Sequence, residues 1–125
     1  GMIDLRNYGI SLKPGQSYTQ ASHPVVTKHP ESGKPVLFVN RSFTSHIEGI
    51  PPWESRMMLN GLYDFVMGNA RLQCRVSWTE NTLVMWDNRS VQHQAIRDYV
   101  GYSRYGERVS ILDKLRPVAY KLARQ

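Results

Sequence analysis

A single cysteine, Cys74, stands in the 125 residues. An internal disulfide is excluded, and a reducing, cytoplasmic setting is the expectation. Apolar runs stop at four residues, as in Leu83-Val84-Met85-Trp86, far short of the roughly 20 that span a bilayer. No basic region precedes an apolar stretch in Gly1-Met2-Ile3-Asp4-Leu5-Arg6, so a secretory signal is not expected. Internal repeats and low-complexity tracts are also missing. What is present suffices for one domain: 41% of the residues are apolar, enough for a core.

The charge is uneven. The chain carries a formal +6. Residues 1–70 hold six basic and five acidic side chains, residues 71–125 ten and five. Six of the latter ten come as arginines, at 71, 75, 89, 97, 104 and 108, before the first lysine. The guanidinium fork matches a carboxylate or phosphate with two hydrogen bonds. The second half therefore suits an anionic partner, either a small carboxylate or a nucleic acid.

The pattern of elements is α+β. Residues 1–22 carry little pattern and read as an arm or loop. Val25, Val26 and Thr27, then Val36, Leu37, Phe38 and Val39, flank a turn rich in Gly and Pro, His29 to Pro35. This predicts a hairpin with strands near 24–28 and 35–40. Pro51 and Pro52 suit a helix start, and Met58, Leu59, Leu62, Phe65 and Val66 share a face at helical spacing. A helix is predicted over 52–68, stopped by Gly68-Asn69, with Met57, Met58 and Met67 as packing. Leu72, Cys74, Val76 and Trp78 alternate with polar residues, which predicts a half-buried strand with Cys74 in the core. A turn at Thr79-Glu80-Asn81 leads to a central strand at 82–86, apolar on both faces. A last strand is predicted near 107–112.

Spacing alone leaves the chemistry open. His93 follows the strand at 82–86 and reads from position alone as a surface or hydrogen-bonded histidine rather than a ligand. Arg104 and Arg108 are four apart; in a strand they share a face, about 13 Å between Cα atoms at roughly 3.3 Å per residue. Spacing alone favours two solvated arginines on a strand face over an anion site. The tyrosine-rich loop from Tyr99 to Tyr105, interleaved with Arg97 and Arg104, has the makings of a stacking surface for single-stranded nucleic acid.

Two blocks resemble a known family. The first is His23-Pro24-Val25-Val26, His29-Pro30-Glu31-Ser32-Gly33-Lys34, Leu37-Phe38-Val39-Asn40, Phe43-Thr44 and Ile47. The second is Trp86-Asp87-Asn88-Arg89, Gln92-His93, Asp98-Tyr99, Arg104 and Arg108-Val109. Their order and spacing are similar to the C-terminal part of the taurine dioxygenase family, iron(II)- and 2-oxoglutarate-dependent oxygenases. The resemblance implies a partial double-stranded β-helix (jelly roll) over 23–117, between an arm at 1–22 and a tail at 118–125. It also implies roles. His93 matches the distal histidine of the iron triad, and Arg104 the arginine that pairs with the distal carboxylate of 2-oxoglutarate. Arg108 matches the arginine for the substrate's sulfonate or carboxylate, and Phe43 an aromatic residue near the substrate. Two histidines and a carboxylate leave open positions on iron for the oxo acid and oxygen.

One departure limits the match. The family's other two iron ligands come from an upstream His-x-Asp motif, and no His-x-Asp occurs here. His29-Pro30-Glu31 and His46-Ile47-Glu48 are the nearest substitutes, both outside the expected region. The expectation is an incomplete enzyme, inactive alone and without bound iron, whose uncovered sheet needs a second copy or a complementary chain. The alternatives are a non-catalytic anion-binding or assembly module on the same half-fold, and a basic nucleic-acid binder.

Overall fold

The computed structural model describes residues 20–112 and 114–122; residues 1–19 of the arm predicted at 1–22 lie outside them. Among the described residues the hairpin forms first. Strand β1 (Val26–Lys28) pairs antiparallel with β2 (Pro35–Leu37), Thr27 opposite Val36. The Phe38 amide donates to the Val25 carbonyl at 2.8 Å and carries the pairing one step further. The turn closes through His29 N–H to Lys34 O and Gly33 N–H to His29 O, both 2.9 Å. Gly33 sits at φ 68°, the left-handed region where a Cβ costs energy.

Strand β3 (Val118–Ala119) pairs antiparallel with β1, Thr27 opposite Ala119, which makes a three-stranded sheet in the order β2-β1-β3. Val118 and Ala119 were assigned to a tail on sequence; here they form an edge strand. Buried Thr27 lies at the centre of this sheet.

Helix α1 (Pro52–Gly68) has the predicted bounds. Pro52 occupies the first turn, where a missing N–H costs nothing, and Glu54 faces the positive end of the helix dipole. The packed face differs from the expected one. Ser55 and Leu59 are buried and Leu62, Tyr63 and Val66 half-buried, whereas Met57, Met58, Phe65 and Met67 are exposed. The stripe is rotated because Ser55 anchors it: its Oγ accepts from the Ile47 N–H at 2.7 Å. Asn69 ends the helix in an extended conformation rather than a left-handed one. Gln73 Nε2 then donates to the Met67 and Val66 carbonyls at 2.7 and 3.0 Å, satisfying carbonyls the helix leaves open.

The second half departs from expectation. Residues 70–72 form one 3₁₀ turn, and the strands predicted at 72–78, 82–86 and 107–112 do not form among the described residues. The turn at 79–82 does form, through Thr82 N–H to Thr79 O at 3.2 Å, with Asn81 at φ 62°. Alternation supplies a face but no ladder partner, and a strand needs both. Cys74 is exposed, not core. Along 82–86 only one face is covered: Val84 and Trp86 are half-buried, while Leu83 and Met85 stand 86% and 85% exposed. That segment is not a central strand. One helix and a three-stranded antiparallel sheet remain, an α+β arrangement.

Candidate active site

The segment that carries His93 is fastened to the hairpin at two points. The first is a charged knot. His29 Nε2 meets Asp87 Oδ2 at 3.0 Å, and His29 Nδ1 lies 3.6 Å from Glu31 Oε2. Arg89 reaches both acids: Nη2 to Asp87 Oδ2 and Nη1 to Glu31 Oε1, each 2.8 Å, and Nε to Asp87 Oδ1 at 2.9 Å. The Arg89 guanidinium, then its backbone N–H, then His29 hold the Asp87 carboxyl well below the usual carboxylate range. Asp87 and Glu31 in turn push the guanidinium's proton loss further up. The turn itself is local: Arg89 N–H to Asp87 Oδ1 at 2.9 Å, with Val91 and Ser90 N–H on the Asp87 carbonyl at 2.9 and 3.1 Å.

The second fastening is Gln92. Its Nε2 donates to the Val39 carbonyl at 2.6 Å, and its Oε1 accepts from Asn40 Nδ2 at 3.2 Å. The His93 ring then lies against Trp86, centroids 4.4 Å apart and planes tilted by 47°. The Trp86 indole N–H is held by Asn88 Oδ1 at 2.9 Å.

The other sequence-selected residues lie apart from this knot. Phe43 is 70% exposed, in a turn that begins at Asn40. Arg104 lies over the Tyr99 ring at 5.5 Å, a cation–π contact that orients the guanidinium at the surface. Arg108 is exposed. No strand carries the two arginines among the described residues, so the shared strand face is corrected.

The donor set can be tested against iron(II). Among the described residues, three ligand-type side chains converge at His29, Glu31 and Asp87 alone. Their carboxylates are committed to the Arg89 guanidinium, a cation already seated among them. His93 has no such neighbours. His46 meets Ser45 Oγ at 3.0 Å, and Glu48 accepts from the Ser22 hydroxyl, so neither completes a group with His93. One imidazole does not hold iron(II), and the described residues do not by themselves fit the metal.

The family model described as Taurine catabolism dioxygenase TauD, TfdA family matches residues 6–110. The chain belongs to this family. The match takes in both fastenings, Phe43, His93, Arg104 and Arg108, and part of the stretch read as an arm. An alpha-ketoglutarate-dependent sulfonate dioxygenase of Saccharomyces cerevisiae is 43% identical over 77 residues, 62% of this chain and 19% of that protein. An alpha-ketoglutarate-dependent 2,4-dichlorophenoxyacetate dioxygenase of Cupriavidus pinatubonensis is 37% identical over 90 residues, 72% of this chain and 31% of that one. An alpha-ketoglutarate-dependent dioxygenase of Penicillium expansum is 33% identical over 129 residues, 96% of this chain and 35% of that one. The chain therefore spans between about a fifth and a third of the length of these family members. No solved structure matches it.

Sequence reasoning singled out His93, Arg104 and Arg108 but passed over the knot. His29 and Glu31 entered only as family markers and substitute iron ligands, and Asp87 and Arg89 only as family markers. The signal for the knot was charge alternation: a His-x-Glu string and an Asp-x-Arg string offer matching charges that only tertiary contact can pair.

Proposed function

We propose that this chain supplies the His93 side of an iron(II)- and 2-oxoglutarate-dependent oxygenase site, built on a partial double-stranded β-helix. His93 offers one imidazole to the metal, and the two remaining ligands come from outside the described residues. Arg104 pairs with the distal carboxylate of 2-oxoglutarate, Arg108 with the anionic group of the substrate, and Phe43 packs beside it. The substrate class is a small organic anion, since a sulfonate and an aryloxyacetate are named for two relatives. The observation that carries this reading is the family match over residues 6–110, inside which all four residues fall. The chemistry of the side chains supports it: arginine is suited to planar anions.

A second reading keeps the fold and drops the reaction. It is a non-catalytic anion-binding or assembly module, favoured by the single metal-matched ligand among the described residues. Calorimetric titration with 2-oxoglutarate, with and without iron(II) under anaerobic conditions and with the part that supplies the two remaining ligands present, separates the two. The oxygenase reading expects iron(II) to tighten 2-oxoglutarate binding and to bring up a weak visible charge-transfer band. Arg104→Ala weakens binding about tenfold, the scale of one lost charge-assisted pair, and more than Arg108→Ala does. Binding that is indifferent to iron(II) and equally sensitive to both arginines sinks the oxygenase reading and leaves the module.

A further inference from the structure

The Val39-Asn40 corner stands between two residues of the proposed site. Every polar group of Asn40 is used. Its N–H donates to Thr44 Oγ1 at 2.9 Å, and its Oδ1 accepts from the Ser42 N–H at 2.8 Å. Its carbonyl accepts from the Thr44 and Phe43 N–H groups at 2.8 and 3.2 Å and from the Tyr63 hydroxyl of α1 at 3.3 Å. Its Nδ2 donates to Gln92. Asn40 thus builds the Phe43 turn, ties it to the helix and hands one bond to the residue before His93. Gln92 completes the link on the carbonyl of Val39, a buried residue.

We propose that Asn40 and Gln92 form a positioning pair that sets the His93 ring relative to the Phe43 turn. The inference rests on the reading of His93 and Phe43 as metal-side and substrate-side residues of one site. The physical reason is the exposure of the His93 segment. Residues 91–98 are all exposed, so apolar packing fixes little of their course. An amide with one donor and one acceptor engaged defines both position and rotation, as a single hydrogen bond does not. The Trp86 ring then supplies a wall for the imidazole, but a wall alone leaves the ring free to slide. Both ends of the pair are needed: Gln92 Nε2 donates to Val39 O, and a carboxylate in its place would face the carbonyl with a lone pair.

The test needs no metal, so its failure is separable from failure of the oxygenase reading. In the full chain, the His93 ring C–H signals are identified by their loss in His93→Gln. With its centroid 4.4 Å away, the Trp86 ring is expected to displace them upfield. Gln92→Glu keeps the length and removes the donor; it is expected to abolish more than half of that displacement and to move the Phe43 amide signal. Asn40→Ala is expected to do the same from the other side. Gln94→Glu makes the same charge change two residues away and is expected to leave both signals in place, with helix content by circular dichroism unchanged throughout. His93 and Phe43 signals that stay put in Gln92→Glu overturn the proposal. So does an equal effect from Gln94→Glu, which would trace the change to charge rather than to the amide pair. Signals that move in Gln92→Glu and Asn40→Ala but not in Gln94→Glu leave the pair standing even if His93 proves not to be a metal ligand.

Discussion

At the residue scale the charged knot decides how the chain responds to acid. Asp87 is ionised and paired with Arg89 and His29 in the fold, which lowers its carboxyl below the usual value. In the unfolded chain the same carboxyl titrates near 3.9. A depressed folded value means that the contribution to stability is complete above the unfolded value and lost as pH falls below it. The urea midpoint of the native chain minus that of Asp87→Asn is therefore expected to be positive at pH 7, constant down to about pH 5, and to shrink below about pH 4. A gap that does not change with pH would show that Asp87 acts through packing rather than charge. Ser55 belongs to the same scale. Its buried hydroxyl satisfies the Ile47 N–H and turns the helix so that Leu59, not Met58, enters the core. Propensity could not foresee that rotation, because a serine scores against a packed face until its partner is known.

At the scale of elements, the hairpin and the helix were legible and the later strands were not. The hairpin is local: β-formers on either side of a Gly- and Pro-bearing turn pair without help from afar. The helix is local too, with Pro52 to start it and i to i+4 spacing to carry it. Strand β3 is the opposite case. Val118–Ala119 is two residues long and lies about 90 positions from its partner β1, a separation no window of sequence can bridge. Its pairing is nonetheless testable. The Tyr120 N–H donates to the Val26 carbonyl at 3.1 Å, and β3 protects the far side of β1. Tyr120→Pro removes that backbone donor and should speed amide exchange at Val26 and Lys28, whose N–H groups face β3, at least tenfold, while amides of α1 keep their protection. Unchanged exchange in β1 would mean that β3 contributes nothing to the sheet.

At the scale of the whole molecule, exposed apolar surface dominates. Val109, Ile111 and Leu112 stand 92%, 96% and 90% exposed, and Leu83 and Met85 scarcely less. Among the described residues only Val39 and Leu59 are buried apolar side chains. The dimer expected from the sequence would cover such surface, burying on the order of 1,600 Å² in total. Light scattering of the 125-residue chain is expected to show an apparent mass that rises with concentration, alongside strong binding of an apolar dye that falls as assembly proceeds. A monomer at every concentration with no dye binding would mean that the cover lies within this chain. No helix among the described residues is long and apolar enough to cross a membrane.

The sequence by itself determined the family, the hairpin, the helix and its bounds, and the residues that carry the resemblance: Phe43, His93, Arg104 and Arg108. These are legible because a motif is a matter of identity and spacing, and because a turn or an amphipathic helix is written within a few residues. Only the tertiary structure decided what surrounds them. It paired His29 and Glu31 with Asp87 and Arg89, turned α1 about Ser55, joined Gln92 to Asn40, and left the alternating stretch from Leu72 to Trp78 without a ladder. The reason is common to all four. Charge pairing, helix rotation, amide bridging and strand formation each need a partner from elsewhere in the chain, and the residue that needs the partner does not name it.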